Sequence, residues 1–201
     1  MKSNAYITML VFGVVSLVCL ACSTNQTTAS VPIKQMTRSE AASFSLPIDK
    51  PRIIVRKAER KLELYSDKDL LKTYKVGLGF NPVPDKVREG DGATPEGDFY
   101  IFVKNRKSAY YLSLGVSYPN AEDAERGLQN RLITRREYEA IIDAIKKKTG
   151  PPQYTNLGGL IYIHGEGAKS DWTWGCVALE NADIKELFDA VEIGTPVTIL
   201  P

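Results

Sequence analysis

The sequence predicts a mainly β domain with helical insertions, and two observations support this fold class. Short runs of β-branched and aromatic residues, bounded by Gly, Pro, Asn and Asp, recur through the first half of the chain. Two helical patterns with clear start signals follow, and a third lies near the C-terminal end. The 201 residues contain 26 Lys and Arg against 24 Asp and Glu, so no nucleic-acid partner is expected.

Residues 1–21 are predicted to form a lipoprotein-type signal peptide. Residues 7–20 are apolar and uncharged, which is typical of a signal core and too short for a comfortable membrane span. The following Ala21 and Cys22 resemble a bacterial lipobox, although Cys19 occupies a position that is usually aliphatic. Cys22 is therefore the expected lipidation site, which would anchor the protein to a membrane in the periplasm. Ordinary cleavage nearby, giving a soluble periplasmic protein, is the alternative.

Residues 22–50 are predicted to be a flexible tether because they are rich in Ser, Thr, Ala and Gln. Residues 51–201 have the length of one domain with a full core, and the chain shows no internal repeat. Alternating apolar residues predict the first strands of this domain, at residues 53–56, 62–65, 73–79, 98–103 and 110–116. Gly and Pro are dense in residues 90–97, which are therefore expected to form a loop.

Helices are predicted after these strands. The first begins at residues 119–122, and the second begins at a capping box made by Thr134 and Glu137 and ends before Gly150. The apolar face of the second helix is formed by Tyr138, Ile141, Ile142 and Ile145. The remaining predicted elements are a strand at residues 160–163, a last helix capped by Asn181 and a closing strand at residues 197–200.

The chain contains one histidine, His164, and one thiol expected to be free in the mature domain, Cys176. A thiolate is a good nucleophile that needs a base or a lowered pKa, and an imidazole is a natural base. This pairing predicts a cysteine acyl-transfer enzyme whose thiol would ionise well below free cysteine. One His and one Cys are too few for a zinc site, so neither a metal nor a cofactor is expected.

The residues around the thiol suggest further roles. The amides of Gly175 and Cys176, with Trp174 as a third contributor, are candidates to hold a developing oxyanion. The imidazole is expected to be oriented by a backbone carbonyl, with Gly165 directly after His164, or by Asp171, for which a solvated loop position is preferred.

The aromatic residues near the thiol have structural and functional interpretations. Trp172 and Trp174 either wall the cleft or pack beneath the cysteine loop. The tyrosines, at positions 110, 111, 118 and 162, are expected to be structural.

These motifs together resemble the L,D-transpeptidase (YkuD-type) catalytic domain of bacterial cell-wall enzymes. The matching residues are His164-Gly165, then Thr173-x-Gly175-Cys176, then Asn181, supported by the loop, helix and closing strand at residues 90–97, 183–191 and 194–199. The resemblance implies a β-sandwich or barrel-like fold over residues 51–201, with the cysteine in a cleft. It adds Thr173, Trp172 and Asn181 to Gly175 and Trp174 as candidate oxyanion or substrate-binding residues.

The resemblance implies acyl transfer through a thioester on peptidoglycan stem peptides. Residues 113–120 and 171–173 resemble a Gram-negative YafK-like branch, which includes an enzyme that releases murein-bound lipoprotein. Ala178 stands where typical members have Arg, which weakens the case for ordinary crosslinking. Hydrolysis of the bond to a lipoprotein and non-catalytic peptidoglycan binding are therefore the alternatives. The sequence does not indicate an oligomeric state.

Overall fold

The computed structural model describes residues 44–201 of the protein. The predicted signal peptide, the lipidation site Cys22 and residues 23–43 of the predicted tether lie outside the described residues. Within the remaining tether segment, Phe44 and Ile48 pack against the main core. No helix in residues 44–201 is both long enough and apolar enough to cross a membrane.

Eight strands form one sheet whose spatial order is β3-β2-β1-β8-β4-β5-β6-β7. Antiparallel pairs dominate, while β1 with β8 and β6 with β7 are parallel. The strand bounds are β1 Pro51–Arg56, β2 Lys61–Ser66, β3 Asp69–Lys75, β4 Gly97–Ser108, β5 Tyr111–Val116, β6 Tyr162–His164, β7 Val177–Ala178 and β8 Pro196–Leu200. The mainly β prediction is confirmed.

The sheet curls into a half barrel because its two ends approach each other. Directly after β3, Gly77 exchanges both backbone hydrogen bonds with Ala178 of β7, at 2.8 and 2.9 Å. An ideal Cβ built on Gly77 would lie 2.3 Å from the Ser170 carbonyl oxygen, so a larger residue cannot be accommodated without backbone movement. This contact brings the segment after β3 against the cysteine loop.

Three helices accompany the sheet: α1 Ala121–Gln129, α2 Arg135–Lys146 and α3 Asn181–Ala190. Both predicted start signals in the insertion are confirmed, since Asn120 and Thr134 each form a reciprocal capping box. The predicted last helix is present as α3, but the prediction of its cap is wrong: the cap residue is Glu180, and Asn181 is the first helical residue. The Asn181 side chain instead accepts a hydrogen bond from Glu166, as described below.

Two groups of buried side chains support these elements. The main core lies between the curled sheet and α3, whose Ile184, Leu187 and Phe188 are fully buried. A smaller cluster fixes the α1–α2 insertion, with Ile141 and Leu157 among its buried members. Burying each such side chain contributes about 1.5–3 kcal/mol before packing effects, so both groups hold their helices firmly.

Some strand bounds differ from the predicted ones. β4 continues to Ser108 rather than ending at residue 103, because its polar second half pairs with β5. β6 begins at Tyr162 and includes His164, rather than covering residues 160–163. Leu160, at a φ of +54°, lies before this strand, and its carbonyl contacts the cysteine thiol.

Candidate active site

His164 ends β6, and its ring is almost entirely buried, with 2% of the residue exposed. Its Nδ1 lies 2.7 Å from the carbonyl oxygen of Gly165. Because a carbonyl only accepts, Nδ1 must carry the proton, which leaves Nε2 as an acceptor. Burial lowers the pKa of His164 below its ordinary value, against the opposing hydrogen bond to Gly165, so the ring is a neutral base at pH 7.

Asn181 holds the loop that carries this carbonyl. Its Oδ1 accepts a hydrogen bond from the Glu166 amide at 2.8 Å. An ideal Cβ on Gly165 would lie 2.4 Å from the same Oδ1 and 2.9 Å from the Tyr110 carbonyl oxygen, so a larger residue does not fit at position 165. Asn181 lines neither of the clefts described below, and its contacts are with the histidine loop.

The cysteine loop depends on glycine at position 175. Gly175 has a φ of +127°, and an ideal Cβ there would lie 2.6 Å from the Ala93 carbonyl oxygen. Thr173 Oγ1 accepts from the Gly175 amide at 3.1 Å and donates to the Cys176 carbonyl at 2.8 Å. The Gly175 amide is therefore engaged, whereas the Cys176 amide has no acceptor among the described residues. Of the three predicted oxyanion donors, the amides of Cys176 and Trp174 therefore have their N–H available within the described residues, whereas the Gly175 amide does not.

The Cys176 thiol is partly exposed and is held by backbone groups. Its Sγ donates to the Leu160 carbonyl and accepts from the Tyr162 amide, both at 3.4 Å. Burial raises the pKa of the thiol to about 11, while the Tyr162 amide and the Lys86 charge oppose that rise. The expectation of a thiol that ionises below free cysteine is therefore wrong. The resting site is a neutral thiol bonded to Leu160 rather than to His164.

Two clefts meet at the thiol, and both are lined by Leu160, Trp174 and Cys176. The His cleft, of about 420 Å³, also contains His164, Trp172, Thr173, Tyr110, Tyr162 and Lys107. The Lys86 cleft, of about 520 Å³, also contains Lys86, Glu89, Gln153, Tyr154, Thr155 and Asn156. A substrate spanning the two clefts would pass directly over the sulfur.

Aromatic side chains form much of the wall. Trp174 is 69% exposed and meets Phe80 edge to face at 4.8 Å between ring centroids, and Trp172 is 38% exposed. Both tryptophans therefore wall the cleft rather than pack beneath the cysteine loop. Tyr110 lies 4.6 Å from the His164 ring, between centroids. Predicting Tyr110 as purely structural missed this contact, which no sequence motif signalled.

Asp171 and Ala178 lie outside the reacting groups. Asp171 pairs with Arg60, with donor–acceptor distances of 2.8–3.1 Å, and accepts from the Leu78 amide. It is therefore neither a solvated loop charge, as preferred from the sequence, nor the group that orients His164. Ala178 is fully buried in β7.

Comparison with known proteins places residues 50–199 within a family model described as the L,D-transpeptidase catalytic domain, YkuD. The chain is 27% identical over 197 residues to YafK of Escherichia coli K12, a protein provisionally named as an L,D-transpeptidase. That similarity covers 94% of this chain and 63% of YafK, so the chain spans less than two thirds of the length of this relative.

Of two solved structures that match this chain, the first has a similar fold. The helical cell shape determining protein Pgp2 of Campylobacter jejuni, as a single-site variant, matches with a TM-score of 0.50 and 21% identity, covering 80% of this chain and 50% of Pgp2. An L,D-transpeptidase from Mycobacterium smegmatis matches with a TM-score of 0.45 and 11% identity, covering 76% and 59% of the two chains.

Proposed function

Because the chain belongs to the L,D-transpeptidase (YkuD) catalytic-domain family, we propose that it is a cysteine acyltransferase acting on peptidoglycan stem peptides. The observation that carries this proposal is the single cleft lined by both Cys176 and His164, in which the imidazole is neutral and its Nδ1 is fixed. A neutral base beside a protonated thiol favours general-base activation at the moment of attack over a thiolate formed in advance.

The proposed reaction begins when the thiol turns from the Leu160 carbonyl and gives its proton to Nε2 of His164. The sulfur attacks the carbonyl on the L-centre of diaminopimelate, the third stem residue, and the oxyanion accepts from the Cys176 amide. His164 then returns the proton to the leaving amine as the C–N bond breaks, which leaves a thioester on Cys176. An acceptor amine or water, deprotonated by His164, attacks the thioester and restores the thiol.

The positions of base and nucleophile orient the substrate. His164 must reach the leaving amine, and it lines only one of the two clefts. The amine side of the scissile bond therefore belongs in the His cleft, and the acyl side belongs in the Lys86 cleft. Trp174 lies at the junction and is exposed enough to contact either part.

Hydrolysis of the bond between peptidoglycan and an attached lipoprotein is the second candidate. The His cleft, of about 420 Å³, is much larger than one alanine, and its wall includes Lys107. These features fit a longer amine, such as the lysine of a linked lipoprotein, whose carboxylate Lys107 would attract. Transpeptidation and hydrolysis share the thioester and differ only in the second nucleophile.

Incubation of the full chain with purified muropeptides, with and without attached lipoprotein, tests these activities by mass spectrometry. New crosslinks or exchanged D-amino acids would identify transpeptidation, and released lipoprotein would identify hydrolysis. Cys176→Ala should abolish every product, whereas Cys22→Ser retains the nucleophile and should remain active. Products from Cys176→Ala would refute the mechanism, and binding without any product from the unaltered chain would favour the non-catalytic alternative.

We propose also that the protein is exported and anchored in the periplasm through lipid on Cys22. Residues 22–43 would form the tether, because Phe44 and Ile48, at the end of the predicted segment 22–50, pack against the core of the domain at residues 51–201. Support comes from the signal-like residues 1–21 and from a family of cell-wall enzymes. Labelling with a palmitate analogue should mark the full chain but not Cys22→Ser. Equal labelling of both would refute lipidation at this position.

A further inference from the structure

In the proposed reaction His164 becomes an imidazolium when it takes the proton of Cys176, and this charge forms at a buried position. His164 is 2% exposed, and its Nδ1 contacts the Gly165 carbonyl. The charge of Glu166 raises the pKa of the ring from a distance, but within residues 44–201 no carboxylate forms an ion pair with either ring nitrogen. A buried charge without a counter-ion is costly. The imidazolium therefore needs another source of stabilisation.

Two aromatic rings contact the imidazole. The centroid of the Tyr110 ring lies 4.6 Å from that of His164, and the two ring planes are inclined by 33°. Trp172 meets the same imidazole edge to face, at 5.7 Å between centroids. The face of an aromatic ring attracts a cation within about 6 Å of its centroid, more strongly where water is excluded. Because the inclination of Tyr110 is small, its face rather than its edge lies against the imidazole.

The other contacts of Tyr110 indicate that its ring, and not its hydroxyl, is the functional part. Its backbone is fixed to the site, because its amide donates to Ser108 Oγ at 3.1 Å and its carbonyl accepts from the Gly165 amide at 3.0 Å. Its hydroxyl makes no hydrogen bond with the residues that the structure describes, and the residue is 47% exposed. A half-exposed tyrosine contributes little to a core. The contact of its ring face with His164 is therefore the feature that needs an explanation.

We propose that the Tyr110 ring stabilises the imidazolium form of His164 through a cation–π contact while the proton of Cys176 resides on Nε2. This inference rests on the proposed function, which makes His164 the base. Tyr110 then supplies part of the electrostatic stabilisation that a carboxylate supplies in a Ser-His-Asp triad, while the Gly165 carbonyl orients the ring. Tyr110 acts through His164 and is thus a positioning residue.

A cation–π contact and simple packing predict different results. The attraction grows with the charge on the imidazole, so it favours the transition state over the resting site, in which His164 is neutral. It also depends on the electron density of the ring, which fluorine withdraws with little change in shape. A fluorinated ring at position 110 should therefore leave His164 less basic and slow the proton transfer. Loss of the hydroxyl alone should have little effect.

The test replaces Tyr110 in the full chain by Phe and by phenylalanines that carry one, two or three fluorine atoms on the ring. His164 is the one histidine of the sequence, so protein labelled in histidine gives one imidazole signal, whose pH titration by NMR reports its pKa. From Phe to trifluorophenylalanine this pKa should fall by about one unit. On muropeptides, kcat should fall about tenfold over the same series, with KM changed less than about twofold. Tyr110→Phe should retain at least about half of the kcat of the unaltered chain.

Tyr111 provides the matched control. It is the next residue, is 43% exposed and makes no ring contact with His164 within residues 44–201. The same series of rings at position 111 should leave both the pKa of His164 and kcat unchanged. The other titratable or charged side chains around the imidazole stay the same throughout, and they are Glu166 in its loop and Lys107, Tyr162 and Cys176 in the His cleft.

A pKa and a kcat that stay constant across the series at position 110 would overturn the inference, because the rings differ little in volume. A change confined to KM would overturn it as well, since the ring would then contact substrate rather than act through His164. The NMR titration needs no substrate, so it separates this inference from the proposed function. An unaltered chain that makes no product, in which fluorination still lowers the pKa of His164, would refute the proposed function and support the contact.

Discussion

Replacing Lys57 by Met should destabilise the domain more than any other single loss of a lysine charge described above. The Lys57 side chain is 1% exposed, and its Nζ donates at 2.6 Å to Glu96 and at 2.8–3.4 Å to three backbone carbonyls. Those carbonyls belong to Val83, Pro84 and Thr94. The ammonium therefore ties both ends of residues 83–96, the loop that contributes Lys86 to its cleft.

The expected loss of stability follows from the acceptor groups that Met leaves without a donor. Met fills a similar volume but donates nothing, so three carbonyls and one carboxylate lose their donor. Breaking a buried ion pair costs about 3–5 kcal/mol. Glu96 is 23% exposed, so water recovers part of its solvation, and we expect the lower end, about 3 kcal/mol.

Urea unfolding at pH 7, followed by tryptophan fluorescence, measures this loss as a change in the free energy of unfolding. Lys61→Met is the control, because Lys61 and its partner Glu59 are 48% and 51% exposed, and it should cost less than about 0.5 kcal/mol. Adding Glu96→Gln to Lys57→Met should recover about 1 kcal/mol by removing the orphaned charge. A loss below about 1 kcal/mol in Lys57→Met would refute this account of the loop.

Four further outcomes concern the nucleophile, its base and the loops that hold them. With a pKa of about 11, Cys176 should react with iodoacetamide at pH 7 at least about a hundredfold more slowly than free cysteine, and an equal rate would contradict the raised pKa. Activity requires a neutral His164, and the pKa of this residue is lowered. We therefore expect kcat/KM to fall on acidification only below about pH 6.5. A midpoint above that value would contradict the lowered pKa. Gly175→Ala should abolish turnover, because φ at this residue is +127° and the added Cβ would collide with backbone atoms. Gly194→Ala is the control for backbone strain alone, because φ is +94° there and the added Cβ would meet nothing. Equal effects of the two substitutions would contradict a steric requirement for glycine at position 175. Asn181→Ala should lower kcat roughly tenfold with little change in KM, and Asn181→Asp, which keeps the acceptor, should restore most of it; a change confined to KM would count against a positioning role.

Local signals in the sequence predicted much of the fold. The capping box at Thr134 involves residues three apart, so its chemistry is visible in a short window. Strand alternation around β1 and β2 similarly reflects a burial pattern of period two. The placement of His164 and Cys176 in one cleft was also predictable, because the one histidine and the one cysteine expected to be free in the mature domain lie twelve residues apart with glycine between them.

Features that depend on distant residues could not be predicted in this way. Arg60 and Asp171 are 111 residues apart, so nothing local distinguishes Asp171 from a solvated loop acid. Asn181 is of a residue type that often caps helices, but its side chain instead accepts a hydrogen bond from the neighbouring histidine loop. The raised pKa of Cys176 likewise comes from burial that only the folded sheet creates.

The position of β8 has a consequence for when the domain folds. Pro196–Leu200 lies between β1 and β4, so it joins residues 51–75 to the rest of the sheet. Until those five residues have been synthesised, β1 to β3 lack their neighbour, and about 145 residues must be closed into one loop before Ile53 meets Val197. A nascent chain would therefore leave β1 to β3 unattached to the rest of the sheet until its synthesis is nearly complete.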